Sequence, residues 1–114
     1  MKDDSVYLKH ILDAISKVEE YTRGTSKKDF ASKTMIQDAV IRQIEIIGEA
    51  SKQVSADLKR KHSQVPWKDI AGMRDKLIHD YLGVDIDAVW VTVEKDLPQL
   101  KERVKAVLGS FPRK

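Results

Sequence analysis

"VDIDAVWVTVEKDLPQLKERVKAVL", residues 84–108, is the stretch on which the fold class turns. Its opening part is rich in β-branched residues and partly alternates, which tempts a strand assignment. A helical reading accounts for more of it. Ile86, Val89, Trp90, Val93, Leu97, Leu100, Val104, Val107 and Leu108 keep one face for about six turns. Asp85 or Asp87 supplies the N-cap. Pro98 lacks an N–H and predicts a kink or restart near Asp96.

Working outward, the same periodicity recurs. Val6, Leu8, Ile11, Leu12, Ile15 and Val18 predict a first helix that ends near "RGTS", with Gly24 as its stop signal. Ser26 followed by Asp29 is an N-cap pattern for a second helix. Phe30, Ile36, Ala39, Val40, Ile44, Ile47, Ala50 and Val54 carry that helix to about residue 54. At 1.5 Å per residue it would be roughly 40 Å long, the spine of the fold. Gly48 inside it predicts close approach of a neighbouring helix. "SADLKRKHSQV" reads as a short helical turn and loop. Pro66 then suits the first turn of a third helix, with Trp67, Ile70, Ala71, Met73, Leu77 and Ile78 on its apolar side and Gly83 at its end. Trp67 and Trp90 are expected core anchors, with Tyr7 and Tyr21 partly buried and His10 at a surface or interface. No hairpin signal such as Asn-Gly occurs. The expectation is an all-α bundle of four or five helices, one domain over residues 1–114, without repeat or linker.

The 114 residues suffice for one modest core. With 41% hydrophobic and 34% charged residues, the chain has the composition of a soluble helical protein. Cysteine is absent, which excludes disulfides, zinc ribbons and thiol nucleophiles. His10, His62 and His79 form no H-x3-H or H-E-x-x-H pair, so no metal or cofactor is expected. Asp3, Asp4, Lys9 and Asp13 break any apolar leader segment, and no other run approaches a membrane span. A cytoplasmic location follows as the expectation. A net charge of +3 permits a nucleic-acid partner without forming a dense basic stripe.

Chemistry concentrates in "GMRDKLIHDYLGVD", residues 72–85. Arg74 and His79 are five apart, about 140° around a helix and about 7.5 Å along it. They do not share a face squarely, though a long arginine can reach around. Arg74 and Tyr81 point nearly the same way if the helix persists through both. Asp75 and His79 are an i, i+4 pair, so the carboxylate could fix the imidazole tautomer. An arginine and a histidine without metal or thiol suit phosphodiester chemistry. Neutral imidazole can take a proton from a ribose 2′-hydroxyl, and guanidinium can hold phosphate oxygens. Tyr81 could stack on a base or donate to a phosphate. Spacing alone favours a solvated helix edge, since an arginine and a histidine at some fixed spacing arise often by chance.

Two further clusters bear on this site. Arg42, Glu45 and Glu49 form an i, i+3, i+7 row, read first as an intrahelical ion-pair row. The alternative is that the row faces the third helix and orients Arg74 or His79, with Glu49 the residue to test. Lys59, Arg60, Lys61 and His62 form a basic run, read as a solvated loop or an RNA-steering patch.

"RDKLIHDY" resembles the R-x4-H-x-Y signature of the HepT-like toxins, a branch of the HEPN superfamily of small helical ribonucleases. "DAVIRQIEIIGEAS" is similar to that family's second-helix motif, "VPWKDIAGMRDKLIHDYLGVD" to its signature helix and "VWVTVEKDLPQL" to its last helices. The likeness runs over residues 5–108. It implies a four- to five-helix HEPN-type up-and-down bundle and a metal-independent endoribonuclease. Such a protein is the toxin of a type II- or VII-like toxin–antitoxin pair. It also implies a homodimer in which Arg74 and His79 of two protomers line a shared cleft. By match, Arg74 binds phosphate, His79 is base or acid, and Asp75 holds the position after the arginine. Tyr81 matches the tyrosine that an MntA-type nucleotidyltransferase antitoxin modifies with AMP. The competing expectation is a catalytically idle HEPN dimer that binds a nucleotide or a protein.

Overall fold

Residues 3–78 and 83–111 are described by the computed structural model. Their helices fall into five runs. The first is α1 (Asp4–Thr22), capped by Asp3, whose side chain accepts from the Ser5 N–H; Gly24 takes φ +72° just beyond its end. Leu8, Ile11, Ile15 and Val18 of α1 are buried, as their spacing predicted.

The second run departs from the expected unbroken spine. It divides into α2 (Lys27–Ser32) and α3 (Thr34–Gln53), with Lys33 between them at φ −107°, ψ 86°. Ser26 caps α2 through the Asp29 N–H, as expected. At the break the Phe30 carbonyl accepts from the Gln37 side chain at 2.8 Å, and the Asp29 carbonyl from the Ser32 hydroxyl at 3.0 Å. Carbonyls that lose helical donors thus find others. The turn directs Phe30 into the core, where its ring centroid lies 5.1 Å from that of Trp90.

The basic run is helical rather than looped: α4 (Ala56–Lys61) is capped by Ser55, and its Arg60 pairs with Asp57. Asp4 ties the start of α1 to this cap by accepting from the Ser55 N–H and hydroxyl at 2.9 and 2.7 Å. Trp67 is buried and its indole N–H donates to the His62 carbonyl at 3.0 Å.

The third expected helix is two pieces, α5 (Trp67–Ala71) and α6 (Met73–Leu77). Gly72 separates them at φ −93°, ψ 5°, in the sparsely allowed bridge region. The second piece stops at Leu77. Ile78 is extended and makes an isolated antiparallel bridge to Val84, and the Asp85 N–H donates to the Leu77 carbonyl at 2.9 Å.

From Ile86 onward the stretch is helical. Asp85 caps α7 (Ile86–Val91) through the Ala88 N–H, a π-helical turn spans Thr92–Asp96, and α8 (Leu97–Gly109) follows with Pro98 in its first turn. Pro98 does not sever the run. The backbone stays near α-helical angles at Val91, Thr92, Asp96 and Leu97, and the Leu97 N–H reaches back five residues to the Thr92 carbonyl. A wider turn accommodates the donor that proline lacks.

These runs form an all-α bundle of the kind the resemblance implies, around one core. In that core α1 lies along α3 and against α8, and α5 and α6 rest on α3. Gly48 lies at that contact. A Cβ built there would stand 3.4 Å from the Ala71 carbonyl oxygen and 3.5 Å from that of Ile70. The end of α5 therefore sits directly on the α3 backbone, the close approach that the glycine predicted. No helix among the described residues is long and apolar enough to cross a membrane.

Candidate active site

The start of α6 is held in place by the contact at Gly48 and the bend at Gly72. Its first turn presents Arg74 toward α3 while Leu77 is buried against the core. One turn before Gly48 on α3 stands Glu45, and the Arg74 Nε donates to Glu45 Oε2 at 2.9 Å. Side chains 29 positions apart in sequence are joined here. The Arg74 side chain is 49% exposed and that of Glu45 34%. The guanidinium is thus tethered at one nitrogen and open to solvent.

Asp75 lies beside it, with Oδ1 3.7 Å from Arg74 Nη1, and is largely exposed. That distance is an ion-pair contact rather than a hydrogen bond. The i, i+4 relation of Asp75 to His79 needs a helix through position 79, as does the shared direction of Arg74 and Tyr81. The helix ends at Leu77, so neither relation follows from helical spacing. His79 and Tyr81 themselves lie outside the described residues.

Glu49, the carboxylate singled out from the sequence, is exposed and pairs with Lys52 at 3.3 Å. The expected ion-pair row is not formed either. Glu45 turns to Arg74, and among the described residues no ion pair reaches Arg42. Arg42 and Glu45 instead line a shallow groove of about 300 Å³ between α1 and α3, together with Tyr7, His10 and Glu49. Of the row read as facing the third helix, it is therefore Glu45, and not Glu49, that meets Arg74. Helix arithmetic around Gly48 contained the signal: Glu45 is about 60° from the glycine around α3, against about 100° for Glu49.

A separate cavity of about 260 Å³ lies between α6 and α8, lined by Met73, Lys76, Thr92, Asp96 and Arg103 among others; neither Arg74 nor Asp75 borders it. Among the described residues no group of three or more His, Asp or Glu side chains is arranged to hold a metal ion.

Chemically, the described half of the site is a solvent-facing guanidinium with its Nε occupied. Its remaining N–H groups match the fork geometry of a phosphate.

Comparison with known proteins places the chain among its relatives. The family model described as "Ribonuclease HepT-like" matches residues 11–107. A Thermococcus cleftensis protein named "Probable ribonuclease HepT" is 52% identical over 95 residues, 83% of this chain and 86% of its own length. A Caldanaerobacter subterraneus subsp. tengcongensis protein named "Putative RNase" is 45% identical over 108 residues, 95% of this chain and 96% of its own. A Methanocaldococcus jannaschii protein named "Gamma-glutamylcyclotransferase and putative RNase" is 47% identical over 112 residues. The match takes in 98% of this chain but spans only 50% of that protein's length. No solved structure matches the chain at a significant level.

Proposed function

Because the chain belongs to the HepT-like ribonuclease family, we propose that it is an endoribonuclease in which Arg74 and His79 cleave RNA without a metal ion. The observation that carries this reading is the Arg74 guanidinium. It stands half-exposed on α6, hydrogen-bonded through Nε to Glu45 and, among the described residues, to no other carboxylate, at the head of the R-x4-H-x-Y stretch.

In the reaction, neutral His79 takes the proton of a ribose 2′-hydroxyl and the 2′-oxygen attacks the adjacent phosphorus. The bond from phosphorus to the 5′-oxygen breaks, and that oxygen takes a proton from water, which the protonated His79 then makes good. The products are a 2′,3′-cyclic phosphate and a 5′-hydroxyl. Arg74 binds the non-bridging oxygens, on which charge grows toward the transition state. Two protomers bring two such arginines to one cleft, which raises the local positive potential that draws RNA in.

A fluorescent oligoribonucleotide tests the chemistry. We expect fragments ending in a 2′,3′-cyclic phosphate, unaffected by a chelator, and no cleavage of the same oligomer carrying 2′-O-methyl riboses. Binding without cleavage on long incubation would instead make the protein a nucleotide-binding module.

The partner in this reading is an MntA-type nucleotidyltransferase antitoxin that adds AMP to Tyr81. Phosphates attached seven positions from Arg74 would compete for its guanidinium and shut out substrate. Co-expressed with such a transferase, the protein should gain mass in adenylate-sized steps, and Tyr81→Phe should abolish them. Adenylate steps that persist in Tyr81→Phe would place the modification elsewhere.

A further inference from the structure

We propose that Glu45 is a positioning residue for Arg74, holding the guanidinium by its Nε so that Nη1 and Nη2 face the substrate phosphate. This inference rests on the ribonuclease reading above and adds a residue that the R-x4-H-x-Y stretch does not contain.

An arginine side chain carries five N–H donors in a rigid plane, but four rotatable bonds leave the plane free to swing. A single well-placed acceptor removes much of that freedom. Glu45 supplies one on a fixed base, since it projects from the middle of α3 rather than from a loop. Its Oε2 meets Nε at 2.9 Å, a charge-assisted hydrogen bond of ordinary length. With Nε engaged, the outer edge formed by Nη1 and Nη2 remains for a phosphate to grip with two oxygens. Asp75 flanks that edge at 3.7 Å from Nη1, too far to occupy it.

The base is held from below as well. At Gly48, one turn on from Glu45, the Ile70 and Ala71 carbonyls lie in contact with α3 just ahead of Arg74. Among the described residues, neighbouring carboxylates are committed elsewhere: Glu49 pairs with Lys52, and Asp69 with Lys76 at 3.7 Å.

The inference separates geometry from charge, because glutamine keeps an acceptor oxygen and discards the charge. In steady-state cleavage of the oligoribonucleotide, Glu45→Ala should lower kcat by roughly 10- to 100-fold with little change in KM, the loss expected when a catalytic group is misplaced. Glu45→Gln should recover most of that loss. In nitrogen-15 NMR spectra the Arg74 Nε–H signal should be slow to exchange in wild type and in Glu45→Gln, and fast in Glu45→Ala.

Glu45→Ala cleaving at the wild-type rate overturns the inference. So does an Glu45→Gln protein as slow as Glu45→Ala, or a change confined to KM. Arg74→Ala is assayed beside them. If it is impaired while Glu45→Ala is not, positioning by Glu45 is wrong and the ribonuclease site stands. If Arg74→Ala also cleaves normally, both fall.

Discussion

Arg74→Ala is expected to cleave RNA about 10²- to 10³-fold more slowly than wild type, the loss typical of removing one donor aimed at developing charge. Its folding should be nearly unaffected. The side chain is 49% exposed and its pair with Glu45 lies at the surface, where an ion pair contributes about 0–1 kcal/mol. Leu77, rather than Arg74, anchors α6 in the core. A melting temperature within a few degrees of wild type would therefore accompany the lost activity. Arg74→Lys sharpens the test. Lysine restores the charge but not the planar fork or the Nε donor, so it should recover only a small part of the rate. His79→Ala, removing the proton acceptor, is expected to lose about 10²- to 10⁴-fold. An Arg74→Ala protein that cuts at the wild-type rate, with cyclic-phosphate ends, would remove the guanidinium from the chemistry.

The contrast between Arg74 and Glu45 shows where reading a sequence succeeds and where it stops. Arg74 was visible because its neighbours in the chain form a recognisable pattern. Its partner lies on another helix, and a row of charges on one helix face does not say which neighbour each will meet. Only their angle from Gly48, where α5 rests, separates Glu45 from Arg42 and Glu49. The helices themselves followed from apolar spacing, because periodicity is a local property that burial only confirms. Leu8, Ile11, Ile15 and Val18 on α1, and Leu97, Leu100, Val104 and Val107 on α8, are buried where the pattern put them. The breaks were less legible for a physical reason. Lys33 has no intrinsic tendency to stop a helix, and residues 26–54 read as continuous. The bend accompanies the packing of Phe30 beside Trp90, a contact made 60 positions away in sequence and invisible to any local window. Gly72 was a weaker case, since an isolated glycine is tolerated in helices at about 1 kcal/mol.

That bend leads to the largest stability effect expected of a single substitution in this chain. Phe30→Ala should destabilise the protein by about 3–5 kcal/mol, the range for deleting a fully buried phenylalanine. Phe30 is 0% exposed and is the buried residue of α2, so the attachment of that helix rests on one ring. The ring leans at 38° on Trp90, adding an aromatic contact to the area it buries. The Phe30 carbonyl also receives the Gln37 side chain that seals the break before α3. With the ring gone, α2 has nothing apolar left to hold it down. The loss should then exceed that of the cavity alone only if the Trp90 side becomes wet. Urea unfolding distinguishes the cases: a lower midpoint with unchanged slope reports a cavity, and a smaller slope reports α2 already detached in the native state. Phe30→Leu keeps most of the volume and should lose less than half as much. Comparisons must be made at one protein concentration, because self-association would add to apparent stability. A Phe30→Ala protein within about 1 kcal/mol of wild type, with an unchanged slope, would mean that α2 is held by something other than this ring.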